Sequence, residues 1–369
     1  MRTKLLSALV LMVAMLVTPV TEARAATPQA WGFAYVNVPD AVAWTELDHA
    51  HQWGSWKPSP VWARGRRVGA VYQVLFPGIG IGSRGIVHVT AVGKDPSGTN
   101  NYCHAAGWYK SGIDQIVEVK CQAPMSTAAT SVPFTVLWTM SPGLVGGPGK
   151  HAYLHKATNE TYSSTGGAVT FNGTNPYFVQ FAGIGNAAVA GNLQVTAVAE
   201  WPTALRCKVT SWGGTATVSA FVACYNQNGA LPPNADFVAS YHEQRSVIGA
   251  VPFGAQPAPK AFGYLWCQNG GALANATNFN SITMGANFCG AYQTGRYHTQ
   301  YSALQVNETH YQVTAAGPSQ GQASDSSSYC TITRLWPTTN PVTPDVDCYD
   351  NSGARVDNGF LAAFTSSRP

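Results

Sequence analysis

The sequence has little charge and, after its N-terminal segment, no long apolar run. Charged residues make up 10% of the 369 residues. Beyond residue 25, no segment reaches the ~18 apolar residues that a transmembrane helix requires. Apolar residues at helical spacing are almost absent, and only Ala41 to Trp53 fits a short helical turn. These absences argue against a helical protein and against a membrane-spanning one.

The sequence also lacks a strong excess of either charge. The whole chain carries 21 basic and 17 acidic residues, and removal of residues 1–25 leaves 18 and 16, a net charge of +2. So small a balance gives no global attraction for nucleic acid or for an anionic membrane. We therefore expect no nucleic-acid partner, and no membrane association once residues 1–25 are removed.

Motifs of common enzymes and metal sites are missing too. The sequence contains no G-x-S-x-G nucleophile elbow, no H-E-x-x-H helix, and no recurring cysteine pair with zinc-ligand spacing. We expect no metal and no cofactor.

The N-terminal segment has the features of a signal peptide. Arg2 and Lys4 give a basic start, Leu5 to Val17 is apolar, and Ala23-Arg24-Ala25 fits a cleavage site. The apolar run is too short, and wrongly flanked, for a lasting membrane span. We therefore predict a signal peptide at 1–25 and a secreted, extracellular protein.

What the sequence does contain is a threefold internal repeat. Cysteine pairs recur at nearly constant spacing along the chain. A tryptophan follows the first cysteine of each pair, at Trp108, Trp212 and Trp336, and a strand ending in Val-Thr-Ala precedes it each time. Many matches in one register indicate a repeat of about 115 residues. The pairs are Cys103 with Cys121, Cys207 with Cys224, and Cys330 with Cys348.

The cysteine spacing predicts disulfides across antiparallel hairpins. The midpoints of the three pairs fall near Gly112, Gly214 and Thr339, in turn-forming sequence. Cys121 also alternates with Val119 and Val117, which places it on the inward face of its strand. Directly opposed residues lie ~4.5–5.5 Å apart, within reach of a disulfide. Since exported proteins are oxidised, we predict these three disulfides.

Two cysteines remain, both in the third unit. Cys267 and Cys289 are predicted to form a fourth disulfide, which would staple the first strand of that unit to the segment that leads to its second. The even count leaves no free thiol.

The abundance of glycine, proline, threonine and aromatic residues predicts an all-β fold. The strands predicted for the first unit lie near 32–37, 71–76, 85–92, 102–109, 115–121 and 133–139. We expect three tandem antiparallel β-sandwich units of jelly-roll type, at 26–145, 146–250 and 251–369, each with a cross-strand disulfide. Pro/Gly-rich joints near 141–150 and 251–260 suit linkers. A single closed assembly with pseudo-threefold symmetry is the alternative.

The repeat motifs resemble those of secreted actinobacterial proteins of unassigned function. The resemblance rests on an aromatic strand, YxVxFxGIG, VTA, Cys-x₄-Trp and VxVxCxxxxG, and it covers nearly the whole chain after residue 25. A fainter likeness is to the small β-sandwich tails of bacterial collagen-like proteins. Both imply a tandem β-repeat architecture, and neither supplies an active site.

One segment, HQWGSWKPSPVWARGRR, has no counterpart in the other two units. Indole faces stack on sugar rings, and arginines add donors for anionic groups. We therefore predict a ligand-binding surface for a polysaccharide or a cell-surface ligand. The alternative is that the tryptophans plug one end of the first sandwich and the arginines solvate it. The predicted site residues are Trp53, Trp56, Trp62, Arg64, Arg66 and Arg67.

Two other polar segments have a chemical and a structural interpretation. The acidic spacing of DVDCYDNSG, from Asp345, resembles a calcium loop, but strand alternation instead makes Asp345 and Asp347 the outward partners of Val346 and Cys348. WTELDHAHQW holds four potential metal or proton-transfer groups, between Glu46 and His51, or is a solvated loop.

The sequence thus favours a secreted, non-catalytic binding or structural module. The alternative is an extracellular hydrolase with a cleft between domains, in which two carboxylates converge. A third possibility is an inhibitor-like protein with one large exposed apolar patch.

Overall fold

The protein is described from a computed structural model that covers residues 29–94, 97–141, 149–186, 191–200, 202–249, 261–268, 271–272, 277–285, 287–304, 308–317 and 327–366. The predicted signal peptide, the unit boundaries and nearly all of both predicted linkers lie outside these residues. The described chain is all-β, with a single 3-10 turn at His49–His51, within the segment where the sequence predicts a helical turn. Nowhere in the described ranges is there a helix long and apolar enough to cross a membrane.

The strands of the first unit fall where apolar alternation places them. All six predicted strands are confirmed to within about two residues at each end, and three short strands, β2, β3 and β4, were not predicted. The strands are β1 (Ala30–Val36), β2 (Thr45–Glu46), β3 (Gln52–Gly54), β4 (Arg64–Val68), β5 (Val71–Phe76), β6 (Ile86–Ala91), β7 (Tyr102–Ser111), β8 (Asp114–Gln122) and β9 (Phe134–Met140).

The second and third units contribute the remaining strands. Those of the second unit are β10 (Lys150–His155), β11 (Glu160–Ser163), β12 (Val169–Asn172), β13 (Tyr177–Phe181), β14 (Asn192–Val198), β15 (Leu205–Gly213), β16 (Val218–Asn226) and β17 (Asp236–Glu243). Those of the third are β18 (Phe262–Gln268), β19 (Gly271–Ala272), β20 (Phe279–Asn280), β21 (Phe288–Gln293), β22 (Arg296–Gln300), β23 (Thr309–Ala316), β24 (Tyr329–Ile332), β25 (Asp345–Tyr349) and β26 (Gly359–Ser366).

The same pairing order recurs three times. In one sheet of each unit, the last strand of the unit pairs with two others, giving β1-β9-β6, β10-β17-β14 and β18-β26-β23. The opposite sheet brings together β5-β8-β7, β13-β16-β15 and β22-β25-β24. The two sheets bury their apolar faces against each other, and Phe134, Phe237 and Phe360 lie fully buried between them.

All four predicted disulfides are present. Cys103 lies directly opposite Cys121 in β7–β8, and the equivalent pairs of the other units have the same Cα–Cα distance of 4.0 Å. Cys267 pairs with Cys289, joining β18 to β21. Gly112 forms the first hairpin turn with φ of +61°, a conformation that glycine adopts without strain. Four disulfides indicate an oxidising environment.

The units are joined edge to edge through three equivalent parallel contacts. Gly93 N donates to Ile332 O at 2.9 Å, linking the first unit to the third. Ala199 N donates to Ala105 O at 2.9 Å, and Gly317 N donates to Val209 O at 2.5 Å. These bonds link the second unit to the first and the third to the second. The ring of contacts closes, as expected for a single pseudo-threefold assembly.

The threonines of the Val-Thr-Ala strands meet at the centre of this ring. Thr90 Oγ1 accepts from Val313 N, Thr196 Oγ1 from Val89 N, and Thr314 Oγ1 from Val195 N, at 3.0–3.2 Å. Each threonine therefore reaches across to the backbone of another unit. We call the line on which they meet the central axis.

Buried histidines surround the same axis. His88 bonds Ser240 Oγ at 2.8 Å and Thr196 Oγ1 at 3.2 Å, and His310 bonds Thr135 Oγ1 at 2.7 Å, always across units. Burial lowers the pKa of His88, His242 and His310 to about 3. These histidines are therefore neutral in the folded protein at neutral pH.

Candidate functional site

The unmatched segment of the first unit lies across the edges of its two sheets. Strand β2 pairs with β4, with Glu46 opposite Arg64, whereas β3 pairs with β1, with Gly54 opposite Gly32. The 3-10 turn between them is capped by Asp48, whose Oδ1 accepts from Ala50 N at 2.9 Å. A hydrogen bond from His51 lowers the pKa of Asp48. The segment is therefore an ordered strap, and it fixes the predicted site residues in different places.

Trp56 is a core residue. Its side chain is only 8% exposed, stacks on Phe76 at 5.7 Å and donates from Nε1 to Val61 O at 3.2 Å. Gly32 and Gly54 leave the room that its indole fills, since a Cβ on either glycine would overlap the ring. Trp56 thus belongs to the packing of the sandwich, and only its edge borders the surface.

Trp53 fills the junction between the first and third units. It packs against an aromatic cluster that contains Trp31 and Phe33 from the first unit and Tyr264 and Phe279 from the third. The neighbouring His51 likewise meets the Trp336 ring edge-on at 5.2 Å. For Trp53 and Trp56, the structure favours the interpretation that the side chains fill space inside the protein over that of an exposed stacking surface.

Trp62 is half-buried, and both of its faces are occupied. The His49 imidazole stacks on the indole at 3.9 Å, with 10° between the planes, and Lys57 Nζ lies 3.4 Å from the ring centre. Two groups this close to one ring centre must lie on opposite faces. Burial lowers the pKa of Lys57, and the nearby Glu308 carboxylate opposes that shift. Trp62 therefore offers its edge, not a face, to a ligand.

The three arginines of the predicted site separate. The Arg64 side chain is 51% exposed beside Glu46, at 4.0 Å. Arg66 lies over the Trp44 ring at 4.4 Å and donates to Gln73 Oε1 at 2.9 Å, and Arg67 donates to Asp40 Oδ1 at 3.3 Å. Arg66 and Arg67 are thus engaged within the first unit, whereas Arg64 has only its long contact with Glu46 and keeps half of its side chain exposed to an external group.

Trp56, Trp62 and Arg64 meet at one opening, which we call the Trp62 cleft. Its volume is about 430 Å³, within the range of small-molecule sites. Its apolar walls include Ile113, which is 74% exposed, and its polar groups include Ser59 and Asp114. The lining residues are Trp56, Ser59, Val61, Trp62, Arg64, Leu75, Pro77, Gly78, Ile113 and Asp114.

Seven of the ten residues that line the cleft were not predicted as site residues, and five of them lie outside the segment that contains the predicted site. Leu75, Pro77 and Gly78 come from the end of β5 and the following turn, and Ile113 and Asp114 come from the β7–β8 hairpin. The Asp114 carboxylate accepts from Gly78 N at 2.8 Å, which ties the two turns together. An apolar residue, Ile113, at the tip of a polar hairpin is the sequence feature that could have indicated this wall.

The acidic segment of the third unit does not form a calcium loop. Asp345, Asp347 and their neighbours form β25, and the fully buried Asp347 pairs with Arg296 at 2.9 Å and with Arg355 at 3.2 Å. Asp347 points away from its own sandwich but is covered by these arginines, so it is not solvated as its outward position predicts. Within the described residues, no group of three His, Cys, Asp or Glu side chains could hold a metal ion.

The Trp62 cleft thus combines apolar walls, one exposed cation and one carboxylate on a rigid all-β frame. Compared with protein-family models, curated proteins and solved structures, the chain matches none of them.

Proposed function

We propose that the protein is a secreted, non-catalytic binding module that holds a polysaccharide or another cell-surface glycan in the Trp62 cleft. The observation that carries this proposal is the convergence of Arg64, Asp114 and Ser59 on an opening with apolar walls. Sugar rings present C–H surfaces to apolar walls and hydroxyls to such polar groups. The four disulfides support export.

The ordering of the cleft supports binding of an extended, flexible ligand. The strap is held by the Asp48 cap, by the buried Trp56 and by the Lys57 ammonium, whose Nζ donates to Val61 O at 2.9 Å. A site that is ordered before binding loses less conformational entropy when the ligand arrives. The β7–β8 hairpin that forms the other wall is fixed by the Cys103–Cys121 disulfide.

The carboxylates favour binding over glycoside hydrolysis. Most glycosidases use two carboxyl groups ~5–9.5 Å apart, one as acid and the other as nucleophile or base. Of the residues that line the Trp62 cleft, Asp114 is the sole carboxylate, and its Oδ1 is already engaged by Gly78 N. The cleft is thus equipped to hold a sugar chain.

Retention on immobilised polysaccharides tests the proposal. Arg64→Gln removes the exposed cation and Ile113→Ser removes an exposed apolar wall, and neither side chain belongs to the core. We expect each change to weaken retention roughly 5- to 30-fold, because each contact in such a site contributes roughly 1–2 kcal/mol.

Matched controls lie elsewhere on the surface. Arg84, with a 58% exposed side chain, and Val42, which is 81% exposed, do not line the cleft. Arg84→Gln and Val42→Ser should leave retention unchanged. Equal retention of the cleft and control variants would remove the proposed site, and no retention on any acidic or neutral polysaccharide would remove the proposed ligand class.

A further inference from the structure

A small chamber lies on the central axis, below the threonines. Equivalent residues of all three units line it, namely Thr90, Thr196 and Thr314 and the residues that precede each hairpin cysteine, Tyr102, Arg206 and Tyr329. It offers about 40 Å³ to water-sized particles, enough for one or two of them and too little for an organic ligand. We call it the axial chamber.

The pseudo-threefold symmetry of the chamber is broken by one cation. Where the other units place tyrosines, the second unit places Arg206, which is 5% exposed. Its guanidinium lies over the rings of Tyr102 and Tyr329, at 5.3 and 5.2 Å. A positive charge is thus buried at the centre of the lining.

Among the described residues, the hydrogen-bond partners of Arg206 are all neutral. Nε donates to Ser327 O at 2.9 Å, Nη1 donates to Asn226 O at 3.2 Å, and Nη2 donates to the Asn351 side-chain oxygen. A guanidinium has five N–H groups, so these three bonds leave at most two, one of which is directed at the neighbouring Tyr102 hydroxyl oxygen. Across the described part of the chain, no ion pair includes Arg206. Burying a charge without a counter-charge is strongly unfavourable.

A second donor beside the chamber is also unsatisfied. The Tyr102 hydroxyl is buried, and no group among the described residues accepts its proton. Burial raises the pKa of Tyr102, and the nearby Arg206 guanidinium opposes that rise through its charge and through a side-chain hydrogen bond to the hydroxyl oxygen. Tyr329 differs, because its hydroxyl donates to Asn100 O. The lining of the chamber therefore includes one cation and one O–H donor whose proton no described group accepts.

We propose that the axial chamber binds one small monovalent anion, chloride in an extracellular medium, through the Arg206 guanidinium and the Tyr102 hydroxyl. The size of the chamber selects a monatomic ion over carboxylates and phosphates. The charge of Arg206 selects an anion over water or a cation. The bound ion would stabilise the assembly, because residues of all three units surround it.

Thermal unfolding in two salts tests this site. The purified protein is unfolded in sodium chloride and in sodium gluconate at equal ionic strength, since gluconate is too large for the chamber. We expect chloride to raise the Tm with the logarithm of its concentration above Kd, by about 2–4 °C at a concentration ~100-fold above its Kd. Tyr102→Phe should weaken the apparent chloride affinity at least ~10-fold, and Arg206→Gln should abolish the response.

Tyr329→Phe is the matched control, because it changes a ring of the same chamber whose hydroxyl is engaged elsewhere. It should keep the full chloride response. Crystals grown in bromide should show an anomalous peak between Arg206 and Tyr102. Equal unfolding in both salts, equal responses of the Tyr102→Phe and Tyr329→Phe variants, or a chamber without anomalous signal would each overturn the proposal.

Discussion

Trp56 of the strap packs in the core, whereas Trp62 lies at the surface. The free energy of unfolding of variants at the two positions distinguishes these roles. Trp56 is enclosed by Phe76 and by the two glycines that make room for it, whereas Trp62 lies between His49 and Lys57 at the protein surface. The sequence placed both in one ligand-binding set because it shows composition but not burial. Only the folded chain shows that Trp56 closes the sandwich.

Replacing Trp56 should therefore destabilise the protein far more than replacing Trp62. Trp56→Ala removes a buried indole and leaves a cavity, at a cost of about 3–5 kcal/mol in the free energy of unfolding. Trp62→Ala removes surface cation–π and stacking contacts, which contribute about 1 kcal/mol. Urea unfolding measures both. Similar losses for the two variants would contradict the assignment of Trp56 to the core.

At the scale of strands, much of the architecture was predictable because residues on the same face of a β-strand recur at every second position. Val117, Val119 and Cys121 are all fully buried, as their alternation predicts. The alternation also placed Lys120 outward, yet it is only 3% exposed. Its side of the sheet faces another unit, and contacts between units leave no period in the sequence.

The Val-Thr-Ala strands also show that the sequence does not reveal contacts between units. Thr90, Thr196 and Thr314 are conspicuous in the repeat, but a polar residue that alternates with buried ones predicts a solvent-facing position. They are buried because they bond the backbone of other units. Likewise, the strap strands β2 and β3 are too short to show a period, and their pairing depends on Asp48 and Trp56.

The hairpin disulfides give a prediction about elements. Replacing Cys103 and Cys121 together with alanine opens an 18-residue loop in the unfolded chain. The chain-entropy model puts the loss at about 3 kcal/mol. Chemical denaturation of the double variant measures it, with the Cys207 and Cys224 double variant as a parallel case of separation 17. A loss below about 1 kcal/mol for both would show that the strand pairing is fixed by packing alone.

At the scale of the whole molecule, the hydrophobic core of each unit includes residues of another unit. The first core contains Tyr153 and Tyr162 of the second unit, the second contains Leu361 of the third, and the third contains Tyr35 and Val92 of the first. Together with the three parallel edge contacts, this sharing makes the units interdependent. We therefore expect them to unfold together.

Acid should destabilise the assembly through its buried histidines. His88, His104, His242 and His310 have folded pKa values of about 3 against 6.5 when exposed. The unfolded chain therefore binds protons below pH ~6.5 that the folded protein does not, and stability falls as the pH drops from there toward 3. The loss is on the order of 2 kcal/mol per histidine at pH 5. Urea unfolding between pH 7 and pH 5 measures the slope.

The contribution of one of these histidines to the pH dependence can be measured with a substitution found in the other units. His88 occupies the position that Gln194 and Gln312 occupy in the other units, in strands with equivalent pairing. His88→Gln should reduce the slope of stability against pH by about one proton. An unchanged slope in the His88 variant would contradict the assignment.

The closed pseudo-threefold assembly is the central claim, and small-angle X-ray scattering of the purified protein tests it most directly. A compact body of ~340 residues has a radius of gyration of about 20 Å, whereas three sandwiches joined only by linkers would give about 30 Å. We predict the smaller of these two values, independent of ionic strength. The larger value, or a radius that varies with salt, would show separate units and contradict the ring.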